Sequence, residues 1–294
     1  MVYLCFMLSI LIPVYNERVT ALVEELLRQG RGLGVVFEIV VFDDGSELGI
    51  KVDNRGIVGE AEVRYEELPE NVGRSAIRNL LGRAARFEYL VFMDGDAWPD
   101  NGLFLENYIL HLDGDTVLVG GTKYVDVAPP GYELHWLVGS KREVVSAAKR
   151  NQRPYHGFSS FNFLVPKKVF LSHSFDETIR EYGHEDTLFG MGLQKEKIKL
   201  LHLDNPLIHQ GLDRADVFLR KRKMAIENLK KLQAEGRELD TKLLRVDRFL
   251  GRFGLRWLVR GIYGIFEEEI EGNLRGDAPR LWVFFWWSLV FLGG

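Results

Sequence analysis

The chain has 294 residues, 46% of them hydrophobic and 27% charged, so it can bury a large core and is neither a disordered nor a fibrous sequence. A formal net charge of −4 gives no reason to expect nucleic acid as a partner. The single cysteine, Cys5, excludes an internal disulfide and a cysteine-based zinc cluster, and fits a reducing compartment.

In chain order, the apolar stretch Met1 to Ile12 lacks the positive leading region and small-residue cleavage site of a secretory signal. A start at Met7 would give a more ordinary strand, leaving residues 1 to 6 as an extension. Ser9-Ile-Leu-Ile-Pro-Val-Tyr15 predicts a buried strand, left by Asn16-Glu17 for a helix over Val19 to Arg28 that Gly30, Gly32 and Gly34 break. Phe37 to Phe42 predicts a second buried strand, ending in Asp43-Asp44-Gly45-Ser46. Residues 47 to 60 form a polar connection with some helix, and Ala61 to Leu68 alternates like a third, less buried strand. Asn71-Val-Gly-Arg-Ser-Ala-Ile-Arg-Asn79 opens a helix that continues to about Arg86. The run from Tyr89 is apolar and aromatic, and then stops abruptly at Asp94-Gly95-Asp96. Strand alternating with helix four times predicts a parallel sheet with crossover helices.

Beyond Trp98 the pattern changes. Gly102 to His111 predicts a helix and Thr116 to Val125 a strand, while 126 to 158 reads as irregular, with Pro129-Pro130-Gly131 and Pro154. Phe161 to Phe170 reads as a strand turning into a short helix. His184 to Leu193 reads as a helix start with Glu185 and Asp186 in its first turn, where the macrodipole favours acids. Ile198 to His209 is strand-like, 216 to 235 is a basic amphipathic helix, and the remainder reads as helical.

Four polar clusters therefore sit where strands end: Tyr15-Asn16-Glu17, Asp43 to Ser46, Asn71 to Asn79, and Asp94-Gly95-Asp96. In a parallel sheet these ends line one crevice. Paired acids at the end of a buried strand need compensation, which a hard divalent cation supplies, and Gly95 lets the backbone approach a ligand closely. Arg74 and Arg78, spaced by four, project from one helical face and suit phosphate, so the crevice suits a nucleotide diphosphate. No glycine-rich dinucleotide or P-loop fingerprint is present.

In this order the residues resemble the family-2 glycosyltransferases, inverting enzymes of the GT-A fold. The resemblance runs from Ser9 to about Gly211 and comprises Pro13-Val-Tyr15-Asn-Glu17, Asp43-Asp-Gly-Ser46, Asn71-Val-Gly-Arg74 with Ile77-Arg-Asn79, Asp94-Gly-Asp96, and Glu185-Asp186. It implies an α/β fold, a Rossmann-like, mostly parallel sheet flanked by helices, with a C-terminal helical extension. It implies that Asp44 reads the uracil of a UDP-sugar and Glu17 the ribose end, and that Asp94 sits near the ribose. Asp96 would ligate Mn²⁺ or Mg²⁺ on the diphosphate, with Asp94 alongside and His209 completing the metal shell. Arg78 matches the arginine of the family's Ala-Arg-Asn signature, here with Ile77 in place of alanine. Displacement at an anomeric carbon with inversion needs a base on the acceptor side and neutralisation of the leaving diphosphate. The resemblance makes Asp186 the base and Glu185 a ligand of the acceptor hydroxyl. It implies a glycan or lipid-linked glycan as acceptor, and a protein facing the cytoplasm. Trp136, Tyr155, Phe158 and Asn162 could wall the acceptor site, although core packing is the ordinary fate of such residues.

In the tail, Arg252, Arg256 and Arg260 recur at spacing four beside Leu255, Trp257, Leu258, Ile262 and Phe266. Leu281 to Leu292 is apolar almost throughout, but as a helix it would span about 18 Å against about 30 Å of bilayer hydrocarbon. The aromatic and arginine content of 249 to 292 fits an interfacial contact with an anionic membrane. Packing onto the catalytic domain or a homodimer contact fits as well. The division expected is a catalytic domain over 1 to 212, with a nucleotide-sugar half over 1 to 110 and an acceptor half over 111 to 212, and a helical extension over 213 to 294. A sugar-nucleotide nucleotidyltransferase would need a glycine-rich triphosphate loop by the first strand. A catalytically inactive binding module would be expected to lack one of the acids named above.

Overall fold

A computed structural model of the chain describes residues 7–237 and 239–293. Residues 1 to 6, read above as an extension, lie outside the described residues.

The first third alternates as β1 (Met7–Val14), α1 (Thr20–Leu33), β2 (Val36–Asp43), α2 (Leu48–Asn54), β3 (Val63–Glu67), α3 (Arg74–Ala84) and β4 (Tyr89–Met93). The strands form because apolar residues occupy both faces: Ile10, Leu11 and Ile12 of β1, Ile39, Val40 and Val41 of β2, and Leu90 to Met93 of β4 are all buried. Helix α1 covers one face with Leu22, Val23, Leu26 and Leu27 at helical spacing, and ends at Gly34, whose φ of +66° is left-handed. The chain continues as β5 (Ala97–Pro99), α4 (Phe104–Ile109), β6 (Val117–Val119), β7 (Thr122–Lys123), α5 (Glu133–Arg142), α6 (Ala147–Arg150), β8 (Asn162–Pro166), α7 (Lys167–Ser172), α8 (Glu185–Lys195), β9 (Leu200–His202) and β10 (Leu207–His209). It closes with α9 (Ala215–Ala234), α10 (Lys242–Arg252), α11 (Arg256–Ile265), α12 (Glu267–Arg275) and α13 (Leu281–Leu292).

Seven strands form the main sheet in the order β3-β2-β1-β4-β8-β6-β9. The pairs from β3 to β4 are parallel, β8 runs antiparallel to both β4 and β6, and β9 is again parallel to β6. Strand β1 has β2 on one side and β4 on the other, so strand order reverses there and leaves a crevice at the carboxyl ends of β1 and β4. A second sheet, β5-β10-β7, sets His209 opposite Ala97 in an antiparallel pair.

Two strands read as single are divided. The 116 to 125 stretch breaks at Gly120-Gly121, where Gly121 has φ +95° and a Cβ on Gly120 would overlap the Asn205 carbonyl. The 198 to 209 stretch breaks at Asp204-Asn205-Pro206, where Asn205 donates its backbone N–H to Gly120 O (3.1 Å) and its amide to Phe104 O (3.0 Å). The side chain of Asn162 fills this junction: it accepts from the Tyr108 hydroxyl at 2.6 Å and donates to Gly121 O and Asn205 O.

The chain divides into two compact units. One comprises the described residues up to Lys123, Val144–Arg180 and Glu185–Gly211; the other comprises Tyr124–Glu143, Glu181–His184 and the described residues from Leu212 onward. Two stretches that precede residue 212 thus belong with the C-terminal helices. Within that second unit Leu134 and Val138 of α5, Leu219 of α9, Ile270 and Leu274 of α12, and Val283, Phe284 and Trp287 of α13 make one core. The stretch read as irregular therefore holds a helix, α5, whose apolar residues fall at i and i+4. Helix α13 lies within the core of this second unit, with Trp287 fully buried. Among the described residues no helix is long and apolar enough to cross a membrane.

Candidate active site

The loops at the carboxyl ends of β1 and β2 are tied to each other. Asp44 N–H donates to Val14 O (2.7 Å), Asn16 N–H to Ser46 Oγ (2.8 Å) and Glu47 N–H to Asn16 Oδ1 (2.8 Å), with Asn16 itself at φ 58°. Asn54 accepts from Val19 N–H and donates to Glu17 O, fixing the turn that carries Glu17. Pro13 is half-buried, Tyr15, Glu17 and Asn71 are exposed, and the Tyr15 ring is 54% accessible at the rim.

The carboxylate of Asp44 is buried and accepts backbone N–H groups from Val72 (2.7 Å) and Gly73 (3.2 Å), which joins the β2 loop to the start of α3. Burial, aided by the neighbouring Asp43 charge, outweighs those bonds and pushes the Asp44 pKa up. Gly45, at φ +77°, lets the loop pass there, since a Cβ would sit 2.7 Å from Asn71 N.

Arg74 and Arg78 share a face of α3 but not an environment. Arg74 is exposed and lies 3.8 Å from Glu185. Arg78 is 2% exposed, donates from Nη2 to Asp94 Oδ1 at 2.6 Å and from Nη1 to Arg74 O at 3.3 Å, and lies over the Phe175 ring at 5.7 Å. Asn79 clamps that ring's backbone on both sides, accepting from Phe175 N–H and donating to Phe175 O, each at 2.9 Å. Of the two arginines expected at the phosphates, Arg74 is exposed beside Glu185 and Arg78 is buried against Asp94.

The Asp94-Gly95-Asp96 turn joins β4 to β5. Asp96 Oδ2 lies 3.2 Å from His209 Nε2, a pairing set by the β5–β10 register, and the imidazole packs edge-on against Phe161 at 5.1 Å. Among the described residues Asp96 Oδ1 is buried and has no hydrogen-bond partner. Burial pushes the Asp96 pKa up, but the His209 hydrogen bond and charge, with Arg74 behind them, bring the net below the ordinary value. The chain approaches closely at Gly211, where a Cβ would overlap the Asp96 carboxylate.

Among the described residues no three His, Cys, Asp or Glu side chains are grouped as a ready metal cage. The donor set at this turn is a pair, Asp96 and His209, with Asp94 engaged by Arg78. A hard divalent cation often takes only one or two protein ligands and completes its shell with phosphate and water oxygens. A buried carboxylate oxygen lacking any partner, beside an imidazole, fits such an ion, Mn²⁺ or Mg²⁺.

At the start of α8 Glu185 is buried and faces Arg74. Asp186 is ringed by protein although water still reaches part of it; its Oδ1 accepts from Thr187 N–H at 2.6 Å. Burial, then the Glu185 charge, pushes the Asp186 pKa up to about 6. Arg74 is thus the side chain that brings the Asp96 turn and the Glu185-Asp186 turn together.

The aromatic wall considered above is absorbed elsewhere. Phe158 stacks on Phe189 in the core, the Tyr155 hydroxyl donates to Ile198 O, Asn162 fills the strand junction, and Trp136 Nε1 donates to Val125 O within the second unit. Two further histidines pack away from this turn: His202 is buried, its pKa lowered to about 4 by burial, and His173 lies 3.0 Å from Glu196. The sequence reading passed over Gly211, Phe161 and Phe175. The glycine two residues past His209 was the one available signal.

The model of glycosyl transferase family 2 matches residues 9–173. The chain is 27% identical over 224 residues to a chondroitin synthase of Escherichia coli; the match covers 64% of this chain and only 32% of that synthase, so the chain spans about a third of its length. Among solved structures, a mannosyltransferase of Pyrobaculum calidifontis in complex with GDP-mannose and Mn²⁺ superposes with TM-score 0.59 at 13% identity, covering 97% of this chain and 85% of that one. Residues 1–349 of S. aureus TarS in complex with UDP-GlcNAc superpose with TM-score 0.51 at 17% identity, covering 98% and 89%. These two likenesses show the fold.

Proposed function

Because the chain belongs to glycosyl transferase family 2 and is a glycosyltransferase, we propose that it moves a sugar from UDP to a hydroxyl of a glycan or lipid-linked glycan on the cytoplasmic side, with inversion at the anomeric carbon. The observation that carries this reading is the buried, unpartnered Oδ1 of Asp96 beside His209, at the crevice where strand order reverses.

In this reading Asp44, fixed by two backbone N–H groups, takes the uracil, and Glu17, with Pro13 and Tyr15 on the same turn, borders the ribose. Asn71 opens the segment that holds Asp44. Asp94, set by Arg78, receives a ribose hydroxyl, while Gly95 lets the turn close against β1 and the start of α1, since a Cβ there would meet Val19 at 3.2 Å and Val14 at 3.4 Å. Asp96 and His209 would hold the divalent cation, which when bound neutralises charge on the departing diphosphate. Arg74 adds its charge from the other side. Glu185 orients the acceptor hydroxyl and Asp186 takes its proton as the acceptor oxygen bonds to the anomeric carbon and the bond to UDP breaks. With a pKa of about 6, Asp186 is mostly ionised at neutral pH and so able to accept that proton.

The test is a thermal-shift series with UDP, GDP, CDP and dTDP, each with and without Mn²⁺, on the wild type and Asp96→Ala. A ligand that binds only the folded state raises its melting temperature. The expected result is a Mn²⁺-dependent shift with UDP that Asp96→Ala removes together with sugar transfer. Normal turnover in Asp96→Ala would sink the metal assignment, and a shift with another base would overturn the donor.

A further inference from the structure

Helix α11 is unlike the other long helices of the second unit, because none of its residues is buried. Its inner edge, Leu255, Val259, Ile262 and Tyr263, is partly covered. Its outer edge carries Trp257 at 71% and Ile265 at 73% accessibility, with Leu258 beside them and only Gly261 and Gly264 between. At the end of α10 Phe249 and, just beyond it, Phe253 are exposed as well, their ring centroids 4.7 Å apart. Exposed aromatic and aliphatic groups of this number on one face mark an interaction surface.

The charge around the face says what covers it. Between 242 and 265 there are six basic side chains against one acid, Asp247, in a chain that is acidic overall. Asp247 is taken by Arg256 at 2.9 Å, and Asp240 lies 3.5 Å from Arg245 and 3.6 Å from Arg248. Among the described residues Arg252 and Arg260 have no acidic partner. Arg260 also lines a recess of about 420 Å³ with Lys223, Lys230, Glu227 and Phe291, three cations around one carboxylate. Trp257 lies one turn from Arg260, so the recess opens alongside the apolar edge. Large aromatics flanked by arginines are the side chains that sit at the level of lipid headgroups, with rings in the acyl boundary and guanidinium groups on phosphate. A second copy related by a two-fold axis would instead bring these arginines against one another. The acids Glu267 to Glu269 begin α12 and bound the face on one side.

We propose that the second unit docks on an anionic lipid surface through the outer sides of α10 and α11, with Phe249, Phe253, Trp257 and Ile265 entering the interface and Arg252, Arg260 and the basic recess meeting lipid phosphates. The docking face is the 249 to 266 region; helix α13, which sequence alone allowed as the interfacial element, is core.

The test uses the full chain and sedimentation with vesicles of phosphatidylcholine alone and of phosphatidylcholine mixed with phosphatidylglycerol. The chain is expected to sediment with the mixed vesicles and to be released by salt. Trp257→Ser and Phe253→Ser should each weaken binding roughly tenfold, and Arg252→Glu and Arg260→Glu should each weaken it at least about fivefold on the anionic vesicles alone. All four variants should keep the wild-type helical circular dichroism and calorimetric transitions, which reports that both units fold and keeps this result separate from the donor reading. Failure to sediment with either vesicle overturns the proposal, as does undiminished binding by Trp257→Ser. A dimer that Trp257→Ser splits, without vesicle binding, would assign the face to a second copy.

Discussion

Asp186 and Arg78 differ in how much of their setting the sequence revealed. That Glu185 and Asp186 begin a helix was legible, because two acids after a glycine are what a helix start accepts. That their nearness and burial raise Asp186 to about 6 was not, since depth is a property of packing. Two opposite pH dependences follow. The folded state holds the Asp186 proton more tightly than the unfolded chain, whose value is near ~3.9. This contribution to stability is therefore full at low pH and is lost as pH rises from about 4 through about 6. Activity runs the other way, since kcat/KM should climb through about pH 6 as the proposed base ionises. Asp186→Asn should lower turnover about a thousandfold and remove that part of the stability slope, as read from urea unfolding at stepped pH and from the pH–rate profile. A rate profile in the wild type that is flat from pH 5 to 8 would refute the base assignment. For the arginines, spacing by four correctly gave their shared face. It gave no depth, and one turn of helix separates a solvated guanidinium from one enclosed by Asp94 and Phe175.

At the level of elements, what could be read was whatever is buried on both sides. Strands β1, β2 and β4 were visible because a short, continuous apolar run bounded by turn residues is the mark of a strand covered on both faces. The small sheet was not, since each of its strands spans only two or three residues and is defined by partners distant in sequence. Yet it is that sheet which sets His209 by Asp96. Helix α5 escaped notice behind Pro129-Pro130-Gly131 and carries Gly139, where a Cβ would overlap the Tyr124 ring. The glycine that ends the β10 segment carries a prediction. Gly211→Ala should displace the Asp96 carboxylate, leaving the melting temperature of the free protein within a few degrees but weakening Mn²⁺-dependent UDP binding, measured by titration calorimetry. Unchanged affinity would mean that the turn relaxes without moving Asp96.

At the level of the whole molecule, each compact unit has a core of its own, so thermal unfolding need not be a single transition. Trp287→Ala should destabilise the C-terminal helical unit by about 3–5 kcal/mol, seen by calorimetry, while the transition raised by UDP and Mn²⁺ keeps its position. A loss of the nucleotide-dependent shift in that variant would show that the two cores melt as one. The Arg78–Asp94 pair, finally, bears on how an acidic crevice can accept a doubly charged ligand. Four carboxylates crowd the two turns that face Arg74 and Arg78, which by count alone would repel a diphosphate. Arg78 pairs with Asp94, Arg74 stands against Glu185, and His209 Nε2 lies 3.2 Å from Asp96. Each of these neighbours offsets an acid locally, so the crevice carries less of the long-range negative field that so many carboxylates would otherwise create, and replacing Arg78 would switch part of that field back on.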